Sequence, residues 1–284
     1  MKLVLFLQAL VLCSSRSVNW YTNTNVAGNT AFLASHGDVI SGAYLCCNVA
    51  SFSANGTFLL SGGPAQVASE VSVFTSASKE AWLVGGVSVA AIASGSWAAG
   101  LAAAAAASQP LLAAGLMGIL FDYEPAANYT QAHAEAYGQF LEAVSTAISP
   151  LRVGMDIADW GILGPSFWQH YESRGVSRFT SMTPTYYATS VAQSEKFVPQ
   201  ALAALPPGSY AAGIGSVLAP DASPCKWDYK WTNDTLRPFV DFLAASSVEF
   251  IDVWRCDIDS PYDTKGPDTT APFFMEALQH FLAP

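Results

Sequence analysis

The chain has 284 residues, 51% of them hydrophobic and 12% charged, with a formal net charge of −10. That composition excludes a disordered chain and supplies material for a large core. An acidic chain whose 12 lysines and arginines never cluster also argues against nucleic acid as a partner.

Met1 to Ser15 carries one positive charge, an apolar run too short to span a bilayer, and small residues at its end. This is the pattern of a secretory signal peptide, so residues 1–17 are expected to be removed, leaving one domain over 18–284. The mature protein is then expected in the extracellular space or the secretory lumen, as a monomer with no membrane attachment. Export leaves Cys46, Cys47, Cys225 and Cys256, an even number for an oxidising compartment. Sequence neighbours seldom bond to each other, so Cys46 and Cys47 are expected to have distant partners or to stay buried thiols, and Cys225 is preferred with Cys256. Asn55, Asn128 and Asn233 begin glycosylation sequons.

In chain order, Val18 to Tyr21 is expected as a strand, Thr30 to Ser35 as a short helix and Val39 to Cys47 as the second strand. Asn48 to Gly63 is expected as its loop. Helical spacing at Val67, Val71 and Phe74 predicts a helix over 64–76, and Ala81 to Val87 reads as the third strand. The alanine-rich stretch 97–115 has the strongest helix propensity in the chain. Met117 to Tyr123 is the fourth strand, apolar apart from Gly118 and Asp122, and Pro125 ends it for want of an N–H.

An amphipathic helix over 130–148 follows, with Tyr137, Leu141, Val144 and Ile148 on one stripe. Strands are then expected at 152–158, 179–184, 210–217 and 249–255, and helices at 167–172, 191–205, 234–245 and 272–282. Eight strands alternate with eight helical segments and no linker divides them. The fold class is therefore α/β, a single (β/α)8 TIM barrel, with an open doubly wound sheet as the alternative.

Catalysis in such barrels is built at the C-terminal ends of the strands. There the chain places Asp122 and Glu124, Asp156, Tyr186, and Trp254 with Asp257. Asp122 and Glu124 are two apart, so an extended chain aims both at one face, about 6 to 7 Å apart. The histidines fall in helices or a turn, which leaves no Ser-His-Asp arrangement, and no HxH or HExxH spacing supports a metal site. No cofactor is expected. Acids among aromatics suit carbohydrate: sugar rings stack on aromatic faces, and a carboxylic acid protonates the glycosidic oxygen. Glu124 is the candidate acid, its pKa raised by the neighbouring Asp122. An inverting pair of Glu124 with Asp156 or Asp257 stays open.

Gly118-Ile119-Leu120-Phe121-Asp122-Tyr123-Glu124-Pro125 resembles the fourth-strand signature DGxDxDxE of the chitinase-like family 18 glycoside hydrolases, which an aromatic-proline pair follows. Leu83 to Val87 is similar to that family's glycine-rich third strand, Met182 to Tyr186 to its sixth-strand methionine-tyrosine region, and Trp254 to its eighth-strand tryptophan. The resemblance implies a carbohydrate substrate and a substrate-assisted retaining mechanism. Glu124 would be acid and then base, Asp122 would orient the N-acetyl group, and Tyr186 would assist it. Tyr123, Trp254, Asp156 and Asp257 complete the expected substrate contacts. Met117 and Leu120 stand where the signature has its two earlier aspartates, so a carbohydrate-binding barrel without turnover is the alternative function.

Overall fold

A computed structural model of the chain describes residues 16–123, 130–157, 165–181, 191–215, 231–254 and 272–283. Nine strands are found among them: β1 (Ser17–Thr22), β2 (Gly42–Phe52), β3 (Phe58–Leu60), β4 (Glu80–Val87), β5 (Gly118–Asp122), β6 (Arg152–Ile157), β7 (Val176–Ser181), β8 (Tyr210–Gly215) and β9 (Phe250–Trp254). All but β3 pair in parallel, in the order β1-β2-β4-β5-β6-β7-β8-β9. β1 also pairs with β9, Asn19 opposite Asp252, and this closes the sheet into an eight-stranded (β/α)8 barrel. The strand of Asp122 is thus the barrel's fourth, although it is the fifth in the chain.

The helices are α1 (Val26–His36), α2 (Gly63–Thr75), α3 (Val89–Ser94), α4 (Leu101–Ala113), α5 (Gln131–Ile148), α6 (Pro165–Glu172), α7 (Val191–Ala204), α8 (Asn233–Ala245) and α9 (Pro272–Leu282). No helix among the described residues is long and apolar enough to cross a membrane. The amphipathic pattern is clearest in α5, α8 and α9, where a stripe at 3.6-residue spacing is buried. On α5 the stripe is Tyr137, Leu141, Val144 and Ile148, and the Thr130 hydroxyl caps its first turn by accepting from the His133 N–H. Strand alternation then makes two cores. Ile119, Phe121 and Val153 face outward against the helices, while Tyr21, Tyr44, Trp82, Val84, Leu120 and Trp254 fill the barrel itself.

Four expectations change. The loop expected at 48–63 holds the end of β2 and the antiparallel β3, because β2 continues to Phe52 through a shift of register between Leu45 and Ala50. Within that irregularity the sulfurs of Cys46 and Cys47 are joined to each other, which corrects the expectation of distant partners; Cys225 and Cys256 lie outside the described residues. The alanine-rich helix starts later than expected: Gly95, at φ +70°, caps the end of α3, and a 3-10 turn over Ser96–Gly100 precedes α4 at Leu101. Lastly, the sixth barrel strand starts three residues before the expected position, at Val176. Its sequence is interrupted by Arg178, which broke the apolar run on which the reading relied.

Candidate active site

The interior of the barrel is stratified. Lowest lies Arg178, buried, with its guanidinium 3.7 Å from the centroid of the Phe250 ring and 3.8 Å from a carboxylate oxygen of Glu80. Above it Asp252 is fully buried in the middle of β9. The Asn19 amide donates to one of its oxygens at 2.8 Å and the Thr180 hydroxyl to the other at 2.6 Å. Burial pushes the Asp252 carboxyl up, against the opposing pull of Arg178, Thr180, Asn19 and Tyr44.

The next layer holds Tyr21, whose ring lies 4.8 Å from that of Tyr44 and 5.1 Å from that of Trp254. Its hydroxyl crosses the barrel from β1 and donates to Asp156 on β6 at 2.7 Å. Burial, with Asp156 and Asp252 adding to it, holds the Tyr21 phenol well above its ordinary range, so it remains a donor. Burial and then Asp252 act likewise on Tyr44.

Asp122 ends β5 two residues after Leu120, which lies in the interior cluster, so the carboxylate is aimed into the barrel at its C-terminal rim. It is half-buried, and one of its oxygens is shielded from solvent. In the ladder Asp122 stands directly opposite Asp156 on one side and Gly86 on the other. Asp156 is 3% exposed, so the sheet brings two acids side by side.

Of the residues expected at the site, Asp122, Asp156 and Trp254 come together in this way. Tyr123 does not. By the alternation of the strand it turns to the opposite face of β5 and stacks on Tyr137 of α5, centroids 4.3 Å apart. Glu124, Tyr186 and Asp257 lie outside the described residues. Among the described residues no group of three or more His, Cys, Asp or Glu side chains is placed to hold a metal ion.

No family model matches the sequence, and no curated protein matches it either. Solved structures do. A chitinase from Bacteroides thetaiotaomicron aligns over 94% of this chain and 96% of its own at 12% identity, with a TM-score of 0.66. A class V chitinase from Pseudomonas fluorescens aligns over 94% of this chain and all of its own at 12% identity and a TM-score of 0.62. A GH18 chitinase from Cycas revoluta, solved with (GlcNAc)3, gives 11% identity, the same 94% and 100% coverage and a TM-score of 0.62.

The chain has the fold of the GH18 chitinases. Within that chitinase fold, Tyr21, Thr180 and Asp252, which line the barrel interior with Arg178, were not singled out from the sequence. The signal that could have found them is a single polar residue inside an apolar strand, as in Phe250-Ile251-Asp252-Val253-Trp254. Burying such a group without partners is costly, so its presence announces a network.

Proposed function

We propose that the protein is a secreted glycoside hydrolase that cleaves an N-acetylated polysaccharide or oligosaccharide by acid/base catalysis assisted by the substrate. The observation that carries this reading is Asp122, aimed inward at the rim of a barrel with the chitinase fold, two residues before Glu124. In the proposed reaction Glu124 gives its proton to the glycosidic oxygen. The acetamide oxygen of the same sugar attacks the anomeric carbon as the bond to the leaving group breaks. Asp122 accepts from the acetamide N–H and faces the positive charge that forms there. Glu124, now a carboxylate, takes a proton from the water that opens the ring intermediate. Tyr186, Trp254 and Asp257 are proposed as sugar contacts, with Trp254 the aromatic platform. Residues 1–17 are proposed to direct export, and Asn55 and Asn233, both exposed, are proposed sites of glycosylation.

A second reading, a carbohydrate-binding barrel without turnover, draws on Leu120. It is fully buried among aromatic rings where the family signature has an acid. Release of chromophore from chitobiose and chitotriose substrates separates the two. Turnover in the intact protein that falls by about 10²-fold or more in Glu124→Gln supports the hydrolase. Saturable oligosaccharide binding with no turnover supports the binding protein, and neither would sink both.

A further inference from the structure

Residues next to each other in a strand point to opposite faces, so of Cys46 and Cys47 only one is expected to reach the barrel interior. Both reach it. Cys46 is buried in the interior cluster with Tyr44, Trp82, Val84 and Leu120, and the half-buried Cys47 packs against the same cluster. Two features bring this about. The sulfurs are joined, which holds both side chains on one side of the strand. The ladder runs from Leu45 opposite Leu83 to Ala50 opposite Gly85, so Cys46 to Val49 stand against Val84 alone and have room to leave the pleat.

The bulge lies at the height of the candidate site. Tyr44 pairs with Trp82 one layer below it, and Gly86, one layer above, pairs with Asp122. Trp82 and Val84 lie in the interior cluster, so Gly86, two residues further on, faces inward as well. A Cβ on Gly86 would lie 2.0 Å from the Asn48 Oδ1. The Asn48 carboxamide therefore fills the space that a side chain at Gly86 would take, on the strand next to Asp122. Asn48 is exposed and sits at φ +54°, a left-handed conformation that asparagine tolerates better than most residues. On its β2 side the barrel mouth thus has a wall made of an apolar S–S ring with one polar group above it, the mixture that ligand sites favour. A ring closed across one peptide unit leaves neither side chain free to turn, and its sulfurs are polarisable. Two thiols would be mobile.

We propose that the Cys46–Cys47 disulfide and Asn48 are a substrate contact: the S–S ring packs on the C–H face of one sugar unit, and the Asn48 carboxamide hydrogen-bonds a hydroxyl at the edge of that unit. The assignment rests on the carbohydrate reading above and adds these residues to it. The contact holds the sugar in the ground state and the transition state alike, so it acts on affinity and not on the chemical step. It exists only in the oxidised protein. Breaking the S–S bond gives two thiols and releases Cys47 from the interior face.

The test uses the full-length protein, a chromogenic chitotriose substrate, calorimetric binding of chitotriose and reduction by tris(2-carboxyethyl)phosphine. The phosphine becomes its oxide by taking the oxygen of a water molecule, whose two protons go to the two sulfurs as the S–S bond breaks. Reduction is expected to raise KM and Kd about tenfold while kcat changes less than about twofold, and reoxidation restores the starting values. The double variant Cys46→Ser with Cys47→Ser is expected to match the reduced protein and to ignore the phosphine, which separates this bond from any other. Asn48→Ala in the oxidised protein is expected to raise KM and Kd about 3- to 10-fold. An affinity that survives reduction of this bond, or a double variant that binds like the wild type, overturns the proposal. Should the double variant fail to fold, Asn48→Ala carries the test, and unchanged KM and Kd in it overturn the proposal. Turnover that ignores reduction and all variants leaves the hydrolase standing and removes the contact. Binding without turnover that weakens on reduction keeps the contact and removes the hydrolase. A protein that neither binds nor hydrolyses chitotriose overturns both.

Discussion

Asp252 is the most demanding side chain in the barrel, because a carboxylate removed from water must be repaid by donors aimed at both oxygens. Asn19 supplies one from the neighbouring β1 and Thr180 the other from β7, beyond β8, which ties the seam of the barrel to the strand two places away from β9. Burial raises the pKa of this group above its unfolded value. Its contribution to stability is therefore full below the unfolded pKa and is lost as pH rises through the folded one. Thr180→Val removes a donor that favours the ionised form and raises the folded pKa further. The variant is expected to lose about 1.5–3 kcal/mol at neutral pH, with the gap narrowing as Asp252 takes up its proton. Urea unfolding at pH 7 and pH 4 measures both values, and equal losses at the two would contradict this account. These inner polar residues were illegible in the sequence for a physical reason. Alternation says that Asp252 and Asn19 share a face with aromatic residues, but only closure of the sheet makes that face an interior. Asp122 was legible because a strand end is a position that the sequence itself marks, through Pro125 and the apolar run before it.

At the scale of the element, β5 illustrates how tightly the fourth barrel strand is built. A Cβ on Gly118 would lie 2.3 Å from the carbonyl oxygen of Arg152 and 2.5 Å from the Trp82 ring. Neither can withdraw, since one is ladder backbone and the other a fully packed indole. Gly118→Ala is therefore expected to destabilise by about 1–3 kcal/mol and to disturb the rim where Asp122 sits. Thermal melts and near-ultraviolet circular dichroism of the variant read the two effects, and a melt identical to wild type would show that the strand is looser than its geometry states. Strands and helices with one clean period were readable from the sequence: β4, β5 and the α5 stripe lie within a residue or so of their expected limits. The misplaced elements are those where a second signal competes. Propensity alone starts the alanine-rich helix at Trp97, but Ser96–Gly100 forms a 3-10 turn and α4 begins only at Leu101. Polar residues after Cys47 suggest a loop, yet the bulge carries β2 onward to pair with β3.

For the whole molecule, alternation of strand and helix left two architectures open, since an open sheet has the same local pattern as a barrel. What decides between them is β1, paired with both β2 and β9. That closure brings the start of the described chain against its end. Arg16, immediately before β1, donates through one guanidinium nitrogen to the Phe281 carbonyl at 3.1 Å and through the other to the Ala244 carbonyl at 3.3 Å, with the Phe281 ring 5.4 Å away. These carbonyls end α9 and α8, where the last turn of a helix leaves acceptors open and its dipole favours a cation. One side chain thus clamps the closing strand to the two final helices. It also lies where a signal peptide is expected to be cut, so cleavage before Arg16 keeps the clamp and cleavage after it discards it. In a protein beginning at Arg16, Arg16→Ala is expected to cost about 1–2 kcal/mol, lowering Tm by roughly 2–4 °C for each kcal/mol in a domain of this size. Arg16→Lys keeps the charge but loses the fork that reaches two helices at once, and is expected to fall between. A protein beginning at Ser17 should match the alanine variant, whereas a Tm indistinguishable from that of the Arg16 form would place the strength of the seam wholly in the ladders of β1.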